Sequence, residues 1–511
     1  MGEGCARSED QHRRLISVRL MEYTQRDCVA GHTMGDNSTS SGMTDGERGK
    51  GVGKPLANVL ADFVCGLQFC SLPSAAVQVA MNGIIDCIGV TVAGSHEQPV
   101  QILRRGLAAS APQGEATILG SKGGMRTSAA EAAWINGTAG HVLDYDDVAR
   151  GHPSVVIVPA VLAEAEALDA GGTDILTAYV AGYEVWMELM LRERGSYQMK
   201  GLHHTPIIGA LAAAAACAKL RHLSAKQTMH ALGIAAAQAS GIVASHGTMA
   251  KSFQVGRAAH AGVLSARLAD LGMTASPYVL DDERGFLKAI SPEGDVDIVT
   301  IPDRLGVDWH ICDQGLSFKR YPVCYATHRT IDATLGLVEQ RPIAVDKIEK
   351  IEAMLSDIHA TVLVNHLPQS CLEAKFSVEF AVASALVAGN VGLQQVNDEF
   401  VCRGDVQKLM GKVRVLTNQN YDPDLAWGSV HDQVRIYLHG GTMLESEKIR
   451  YARGNSRLPL ARDDLKRKFV DCVAFGNSDM DGAALFDRLQ QLESLPNCHL
   501  LSEAHHPNPV I

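Results

Sequence analysis

Three aspartates and a histidine that lie close together in the sequence could do acid/base chemistry. Asp144, Asp146 and Asp147 follow an apolar stretch, and His152 comes shortly afterwards, directly before Pro153. A proline restricts the backbone torsion φ and stiffens a turn, and an imidazole with an ordinary pKa of about 6.5 suits proton transfer near neutral pH. The aspartates could orient His152 or act as acids and bases, or they could form a solvated turn after a helix. No second histidine is spaced to join them, so no metal is predicted.

One histidine and two lysines further along the chain are candidates for holding an anion. His203 precedes an Ala-rich apolar stretch, and the N-terminus of a helix there would favour a carboxylate; the alternative is a histidine that only caps the helix. Lys251 follows a Gly-Thr-Met turn and could hold a carboxylate, or become a base if burial lowers its pKa; the alternative is a surface lysine. Lys319 precedes Arg320 and by itself indicates the solvated end of a strand.

A large helical domain over residues 55–297 is predicted to carry most of these residues. Apolar side chains recur at helical spacing, as in Val77, Met81 and Ile84. Ser128 and Glu131 have the spacing of a capping box, which predicts a helix through Leu143. Residues 1–54 are polar and lack this periodicity, and we expect a disordered extension there.

The following residues, 298–449, are predicted to form an α+β domain. The expected strands are Lys347–Leu355, Lys412–Leu416 and a hairpin of Val434–Leu438 with Thr442–Lys448 around Gly440-Gly441. Residues 450–492 return to a helical pattern and should pack on the helical domain, and residues 493–511 should form a loose tail. The predicted fold class is therefore mostly α with an α+β part.

Composition excludes several classes of function. The formal net charge is −11 and no basic stripe is present, which argues against a nucleic-acid partner. No apolar run reaches about 18 residues, so no membrane span is expected. The Gly-rich segment Gly120–Gly124 matches neither nucleotide-binding motif, so no cofactor is predicted.

The twelve cysteines indicate a cytoplasmic protein. They contain no CxxC pair, and several lie within apolar runs, as expected of buried thiols in a reducing compartment. Arginines near the N-terminus weakly suggest a mitochondrial transit peptide, but the acidic residues among them argue against one.

Read in order, the polar clusters form a recognisable series. They are Asn136-Gly-Thr-Ala-Gly-His141, Asp144-Tyr-Asp-Asp147, Gly151-His-Pro-Ser154, Leu202-His-His-Thr205, Gly247-Thr-Met-Ala-Lys251, Gly256-Arg-Ala-Ala259, Lys319-Arg-Tyr-Pro-Val-Cys324 with Thr327-His328, and Glu373-Ala-Lys-Phe-Ser377. This series resembles the MmgE/PrpD family over nearly all of residues 55–492. The resemblance implies a helical domain plus a smaller α+β domain, a site between them, and usually a homodimer.

The resemblance also implies a cofactor-free enzyme and a set of site residues. The family includes 2-methylcitrate dehydratases, cis-aconitate decarboxylases and an iminodisuccinate epimerase. In these reactions negative charge develops beside a carboxylate, so the enzyme needs a positioned acid or base and cations. The implied catalytic residues are Asp144, His152, His203, Lys251 and Lys319, and the implied substrate contacts are Thr205, Tyr321, Cys324 and Phe380.

Three positions depart from the decarboxylases of this family. Cys324 stands where the mammalian type carries His, and a buried thiol is its simplest interpretation. Val148 replaces a hydroxyl residue and Phe380 replaces a Tyr, and neither side chain can donate a hydrogen bond. The main hypothesis is a lyase that dehydrates or decarboxylates a small di- or tricarboxylate. The alternatives are an epimerase of a substituted succinate and a non-catalytic carboxylate-binding protein. The sequence around Lys251 is most similar to the epimerase branch of the family.

Overall fold

The computed structural model describes residues 53–107, 114–423, 428–476 and 479–498. The predicted disordered extension lies outside the described residues except at its last two positions, and so does the end of the predicted loose tail. The two parts of the fold described below belong to one compact unit that begins at Lys54.

Helices make up the first part of the chain because its apolar side chains recur at helical spacing and its many small residues let helices approach closely. They are α1 (Leu56–Gly66), α2 (Ser74–Gly94), α3 (Gln98–Leu107), α4 (Ala129–Val142), α5 (Ser154–Leu168), α6 (Gly172–Arg192), α7 (His204–Leu220), α8 (Ala225–Ala236), α9 (Ala250–Asp270), α10 (Phe286–Ile290) and α11 (His310–Asp313). Helices α4 and α9 cross where Gly137 faces Gly256. A Cβ atom on Gly256 would lie 2.3 Å from the carbonyl oxygen of Trp134, so only glycine fits this crossing.

The start and end of α4 set up the loop that carries the aspartates. The hydroxyl of Ser128 accepts a hydrogen bond from the backbone N–H of Glu131 at 3.4 Å, which caps the helix at its predicted start. Two non-glycine residues of the following loop, Asp144 and Arg150, have left-handed φ values of 51° and 57°. Backbone of this kind is strained and is common at functional sites.

Helix α2 differs from the expectation that no segment is long and apolar enough to cross a membrane. By length and composition it passes that test, but 72% of its most apolar stretch is buried within the protein. Its residues Met81, Ile84 and Ile88 belong to the main hydrophobic core. The length and apolar composition of α2 are therefore explained by its packing in the hydrophobic core.

A four-stranded mixed sheet forms the centre of the second part, as predicted. Its order is β4 (Val413–Asn418), β3 (Ile348–Ser356), β5 (Gln433–Leu438) and β6 (Met443–Glu445), with β3 parallel to β4 and antiparallel to β5, and β5 antiparallel to β6. The helices of this part are α12 (His328–Gln340), α13 (Asp357–Ala360), α14 (Cys371–Ala374), α15 (Val378–Ala388), α16 (Asp398–Val401) and α17 (Gly404–Met410). The predicted fold class, mostly α with an α+β part, is confirmed.

The hydrophobic core of one part gives way to that of the other near residue 320, whereas the sequence predicts a boundary at 298. Ile311, Leu316 and Phe318 belong to the core of the helical part, whereas Tyr321 and Val323 begin the α+β part. A short hairpin of β1 (Ala116–Thr117) and β2 (Arg126–Thr127), around the Gly-rich turn, is an element that periodicity did not indicate.

The C-terminal helices α18 (Arg462–Gly476) and α19 (Gly482–Leu489) pack on the helical part, mainly against α2. Phe469 and Phe486 lie in the same core as α2. The chain beyond them is packed as far as Cys498, which is buried, and the backbone N–H of Gly172 donates to the carbonyl of Leu495 at 2.9 Å. Residues 493–498 are therefore not loose.

Candidate active site

A cavity of about 340 Å³ lies between the helical part and the α+β part. The helical part contributes the loop from α4 to α5 and the first turns of α7 and α9. The α+β part contributes the chain from residue 317 to 329, helix α13 and the segment before α18. Seven of the nine sequence-predicted site residues line this cavity: Asp144, His152, His203, Thr205, Lys251, Lys319 and Cys324.

Asp144 lies between two lysines at the base of the cavity. Lys251 Nζ donates to one carboxylate oxygen, and Lys319 Nζ donates to the other at 2.6 Å and to the Asp144 carbonyl at 2.7 Å. All three side chains are buried. Burial opposes ionisation of Asp144, but the two lysines hold its pKa well below the usual range. Burial likewise opposes the charge on Lys319, but Asp144 and Asp146 raise the pKa of that lysine.

A second carboxylate, Asp146, joins two histidines. Its Oδ2 atom lies 2.9 Å from Nδ1 of His141 and 3.1 Å from Nδ1 of His152. Burial raises the pKa of Asp146, but the two histidines and their hydrogen bonds overcome this and hold it well below its usual range. Because an ionised carboxylate only accepts hydrogen bonds, the proton of each ring lies on Nδ1.

The Nε2 atoms of these two histidines have different surroundings. In His141 it accepts a hydrogen bond from Lys251 Nζ at 2.8 Å, and burial lowers the pKa of this histidine to about 4. In His152, Nδ1 also lies 2.9 Å from the carbonyl of Asp147, so Nε2 is the nitrogen left for a ligand in the cavity. The arrangement leaves a hydrogen-bond acceptor beside two cations.

His141, Asp146 and His152 are also the group in the described residues whose spacing would suit a metal ion. Each offers a ligand atom, and these atoms lie within 4.8 Å of one another. A metal would require both Nδ1 atoms to be without protons. The carbonyl of Asp147 beside His152 Nδ1 can only accept a hydrogen bond, so the surroundings favour a protonated Nδ1.

The third aspartate of the loop, Asp147, contacts a different set of residues. Asp147 accepts a hydrogen bond from the hydroxyl of Ser154, which lies 2.6 Å from the hydroxyl of Tyr179. Burial raises the pKa of Asp147 well above its usual range, with further contributions from Asp86 and Asp146. Burial therefore opposes a charge on Asp147, which packs behind the cavity.

The histidines at the start of α7 and before α9 are neutral. His203 Nδ1 lies 2.6 Å from Gln254 Nε2, and burial lowers the pKa of His203 well below its usual range. The ring of His246 lies edge-on to it at 4.8 Å, and burial lowers the pKa of His246 to about 3. These imidazoles offer hydrogen bonds to a ligand while the lysines supply the charge.

Two predicted substrate contacts lie outside the cavity. The hydroxyl of Tyr321 donates to Asp332 at 2.6 Å within the α+β part. Phe380 is fully buried and its ring contacts Phe400. Both side chains point into the core of that part, so the absence of a hydroxyl on Phe380 does not change the cavity. Val148, by contrast, lines it.

Cys324 lines the cavity as a protonated thiol. Burial, reinforced by Asp144, raises its pKa. Its backbone N–H donates to the carbonyl of Lys375 at 2.8 Å, and Lys375 is itself a buried lysine whose Nζ donates to the carbonyl of Val142 at 2.8 Å.

Sequence reasoning assigned no role to three functional candidates: His141, His246 and Lys375. His141 lies within a helical pattern and His246 before a turn, and each lacks a local feature that marks a site. Lys375 was visible only as part of the Glu373–Ser377 cluster. The available signal was the position of His141 three residues before Asp144.

Known proteins resemble the chain over both of its parts. The MmgE/PrpD N-terminal domain matches residues 58–299 and the MmgE/PrpD C-terminal domain matches residues 321–488.

Curated relatives cover most of the chain. The cis-aconitate decarboxylase of Homo sapiens is 27% identical over 467 residues, which is 88% of this chain and 94% of that protein. The cis-aconitate decarboxylase of Mus musculus is 26% identical, covering 88% of this chain and 93% of the mouse protein. That of Aspergillus terreus is 27% identical over 404 residues, with 73% of this chain and 80% of the fungal protein covered. The chain therefore belongs to the MmgE/PrpD family.

Proposed function

We propose that this protein is a cofactor-independent lyase that decarboxylates a small polycarboxylate such as cis-aconitate. The observation that carries the proposal is the buried Lys251–Asp144–Lys319 group beside His152 in the cavity between the two parts. The relatives described above are cis-aconitate decarboxylases, which favours decarboxylation over dehydration.

In the proposed reaction the cations hold the negative charge that develops. The carbon–carbon bond to the departing carboxylate breaks, and its electron pair spreads into the neighbouring conjugated carboxylate. Lys251 and Lys319 stabilise this charge, which is worth most in a site shielded from water. A proton then adds to carbon. His152, whose Nε2 atom faces the cavity, delivers it after taking up a proton from solvent, and Asp146 stabilises the imidazolium. Asp144 holds both lysines in place through its two carboxylate oxygens.

Proton NMR in D2O tests the reaction directly. Purified protein is incubated in turn with cis-aconitate, 2-methylcitrate and iminodisuccinate. We expect cis-aconitate signals to be replaced by those of a product one CO2 smaller. A dehydrated product of 2-methylcitrate would support a dehydratase instead, and deuterium entering iminodisuccinate without a change of skeleton would support an epimerase.

Variants connect the reaction to the site. His152→Gln and Lys251→Ala should each abolish turnover while the fold survives, as judged by circular dichroism. Lys226→Ala removes an exposed lysine of the helical part and should leave turnover unchanged. Near-parental turnover in both site variants would refute the assignment of these residues.

A homodimer and a cytoplasmic location belong to the same proposal. The homodimer rests on the family resemblance, and the cytoplasmic location rests on the cysteine content. Light scattering coupled to gel filtration gives the mass in solution, and a mass of one chain would refute the dimer.

A further inference from the structure

One wall of the cavity joins the strained loop residue Arg150 to the first turn of α7. Arg150 has a left-handed φ of 57°. The next residue is Gly151, where a Cβ atom would lie 2.9 Å from His204 Nε2. The loop is thus held close against the helix, and both Arg150 and His204 line the cavity.

The guanidinium of Arg150 is desolvated and has no acidic partner among the described residues. Burial lowers its pKa, and its Nε atom is buried without a hydrogen-bond partner. Arg329 in the same cavity instead pairs with Asp432 at 2.7 Å, and Arg457, which also lines it, is exposed to solvent. A guanidinium held partly out of water without a counter-ion is unfavourable. Arg150 is the half-buried cavity arginine for which the described residues supply no acidic partner.

The first turn of α7 offers unpaired groups at the same wall. The hydroxyl of Thr205 and Nδ1 of His204 are both buried, and neither finds a hydrogen-bond partner in the part of the chain that the structure describes. The first N–H groups of a helix have no partner within the helix and carry the positive end of its dipole. The N-cap residue, His203, makes no side-chain hydrogen bond to them.

We propose that Arg150, the Thr205 hydroxyl and the first turn of α7 bind a second carboxylate of the substrate, distinct from the group held near Lys251 and Lys319. His204 acts as a positioning residue that packs against the loop at Gly151. A guanidinium forms two parallel hydrogen bonds with a carboxylate, and the helix N-terminus adds further donors. The ligand is accordingly a compound with at least two carboxylates at separate positions, a requirement that rests on the proposed function.

The stability of the ligand-free protein separates a binding role from a structural one. Arg150→Gln removes a desolvated charge that has no partner, so the melting temperature should stay the same or rise. A structural arginine would lower it on removal. Arg284→Gln, which removes an exposed arginine of the helical part, serves as the control for the change in net charge.

Binding of two probes that differ by one carboxylate tests the subsite itself. Affinities for glutarate and butyrate are measured by ligand-detected NMR for the parent protein, Arg150→Gln, Thr205→Val and Arg284→Gln. Loss of a charge-assisted hydrogen-bonded pair corresponds to roughly tenfold or more in affinity. We expect Arg150→Gln to weaken glutarate by at least that factor and butyrate by less than twofold. Thr205→Val should weaken glutarate severalfold, and Arg284→Gln should match the parent.

Each contrary result refutes the subsite. The subsite is wrong if the parent binds glutarate no more tightly than butyrate, or if Arg150→Gln binds glutarate as tightly as the parent does. It is also wrong if Arg150→Gln lowers the affinity for both probes equally and melts at a lower temperature. These failures are distinct from failure of the lyase. A parent protein that binds glutarate through Arg150 but converts no polycarboxylate would refute the reaction and leave the subsite in place.

Discussion

Replacing Asp146 by asparagine is the perturbation that most directly tests how the site works. The Oδ2 atom of Asp146 faces Nδ1 of both His141 and His152, and its other oxygen is buried without a hydrogen-bond partner. In Asp146→Asn the amide oxygen can keep both contacts if the NH2 group takes the position of the unpartnered oxygen. The two hydrogen bonds then lose their charge assistance.

The size of the effect follows from those two bonds. A hydrogen bond to a charged group contributes about 1–1.5 kcal/mol more than a neutral one, so two of them amount to about 2–3 kcal/mol. If His152 must carry an extra proton during the reaction, this loss falls on the transition state, and kcat drops roughly 30- to 150-fold. If the amide turns the other way, its NH2 group opposes both Nδ1–H groups, and a still larger loss follows.

The adjacent aspartate provides a matched control. Burial raises the pKa of Asp147 and opposes its charge, so Asp147→Asn introduces a neutral group of nearly the same shape whose amide oxygen can still accept from Ser154. We expect kcat to change less than about threefold. Histidines labelled with 15N report the tautomers independently of turnover, and in the parent both His141 and His152 should carry the proton on Nδ1. Parental kcat in Asp146→Asn, or an equal loss in Asp147→Asn, would refute the reasoning.

Three further outcomes follow from the charges and the packing. Asp144→Asn leaves two buried lysines without their shared carboxylate and should lower the free energy of unfolding in urea by about 3–5 kcal/mol, whereas Lys226→Gln at an exposed site should change it by less than about 0.5 kcal/mol. Stability should fall as the pH decreases from about 6.5 towards about 4, because His141 and His204 have folded pKa values of about 4 and stay neutral while the unfolded chain takes up protons. Each such histidine contributes up to about 1.4 kcal/mol per pH unit, and a flat profile over this range would contradict their burial as neutral groups. Phe380→Tyr places a hydroxyl in an apolar core and should destabilise the protein by about 1–3 kcal/mol without changing KM, and a lower KM would mean that this side chain reaches the cavity.

Local patterns in the sequence determined the fold class. The spacing of Val77, Met81 and Ile84 follows the period of a helix, and the strand of residues 348–356 lies within one residue of its predicted bounds. Such patterns depend on which side of an element is buried, and neighbouring residues along the chain carry that information. Periodicity could not indicate how residues 298–318 pack, because they lack a regular pattern; in the structure Ile311, Leu316 and Phe318 belong to the core of the helical part.

The site was only partly visible in the same way. Asp144 and His152 lie in one loop, so their proximity could be inferred from the sequence. Nothing local indicates that Asp144 pairs with Lys251, 107 residues away, and with Lys319, 175 residues away. Tyr321 and Cys324 are three positions apart, yet one side chain points into a core and the other into the cavity.

The sequence by itself determined the residue types, their order along the chain and the elements that carry them. The tertiary structure alone decided which charges share a counter-ion, which nitrogen of each histidine faces the cavity, and that Arg150 is left without an anion. These properties depend on distances of a few ångströms between segments far apart in the chain, and on the loss of water around them. The periodicity and spacing of residues along the chain give neither these distances nor the loss of water.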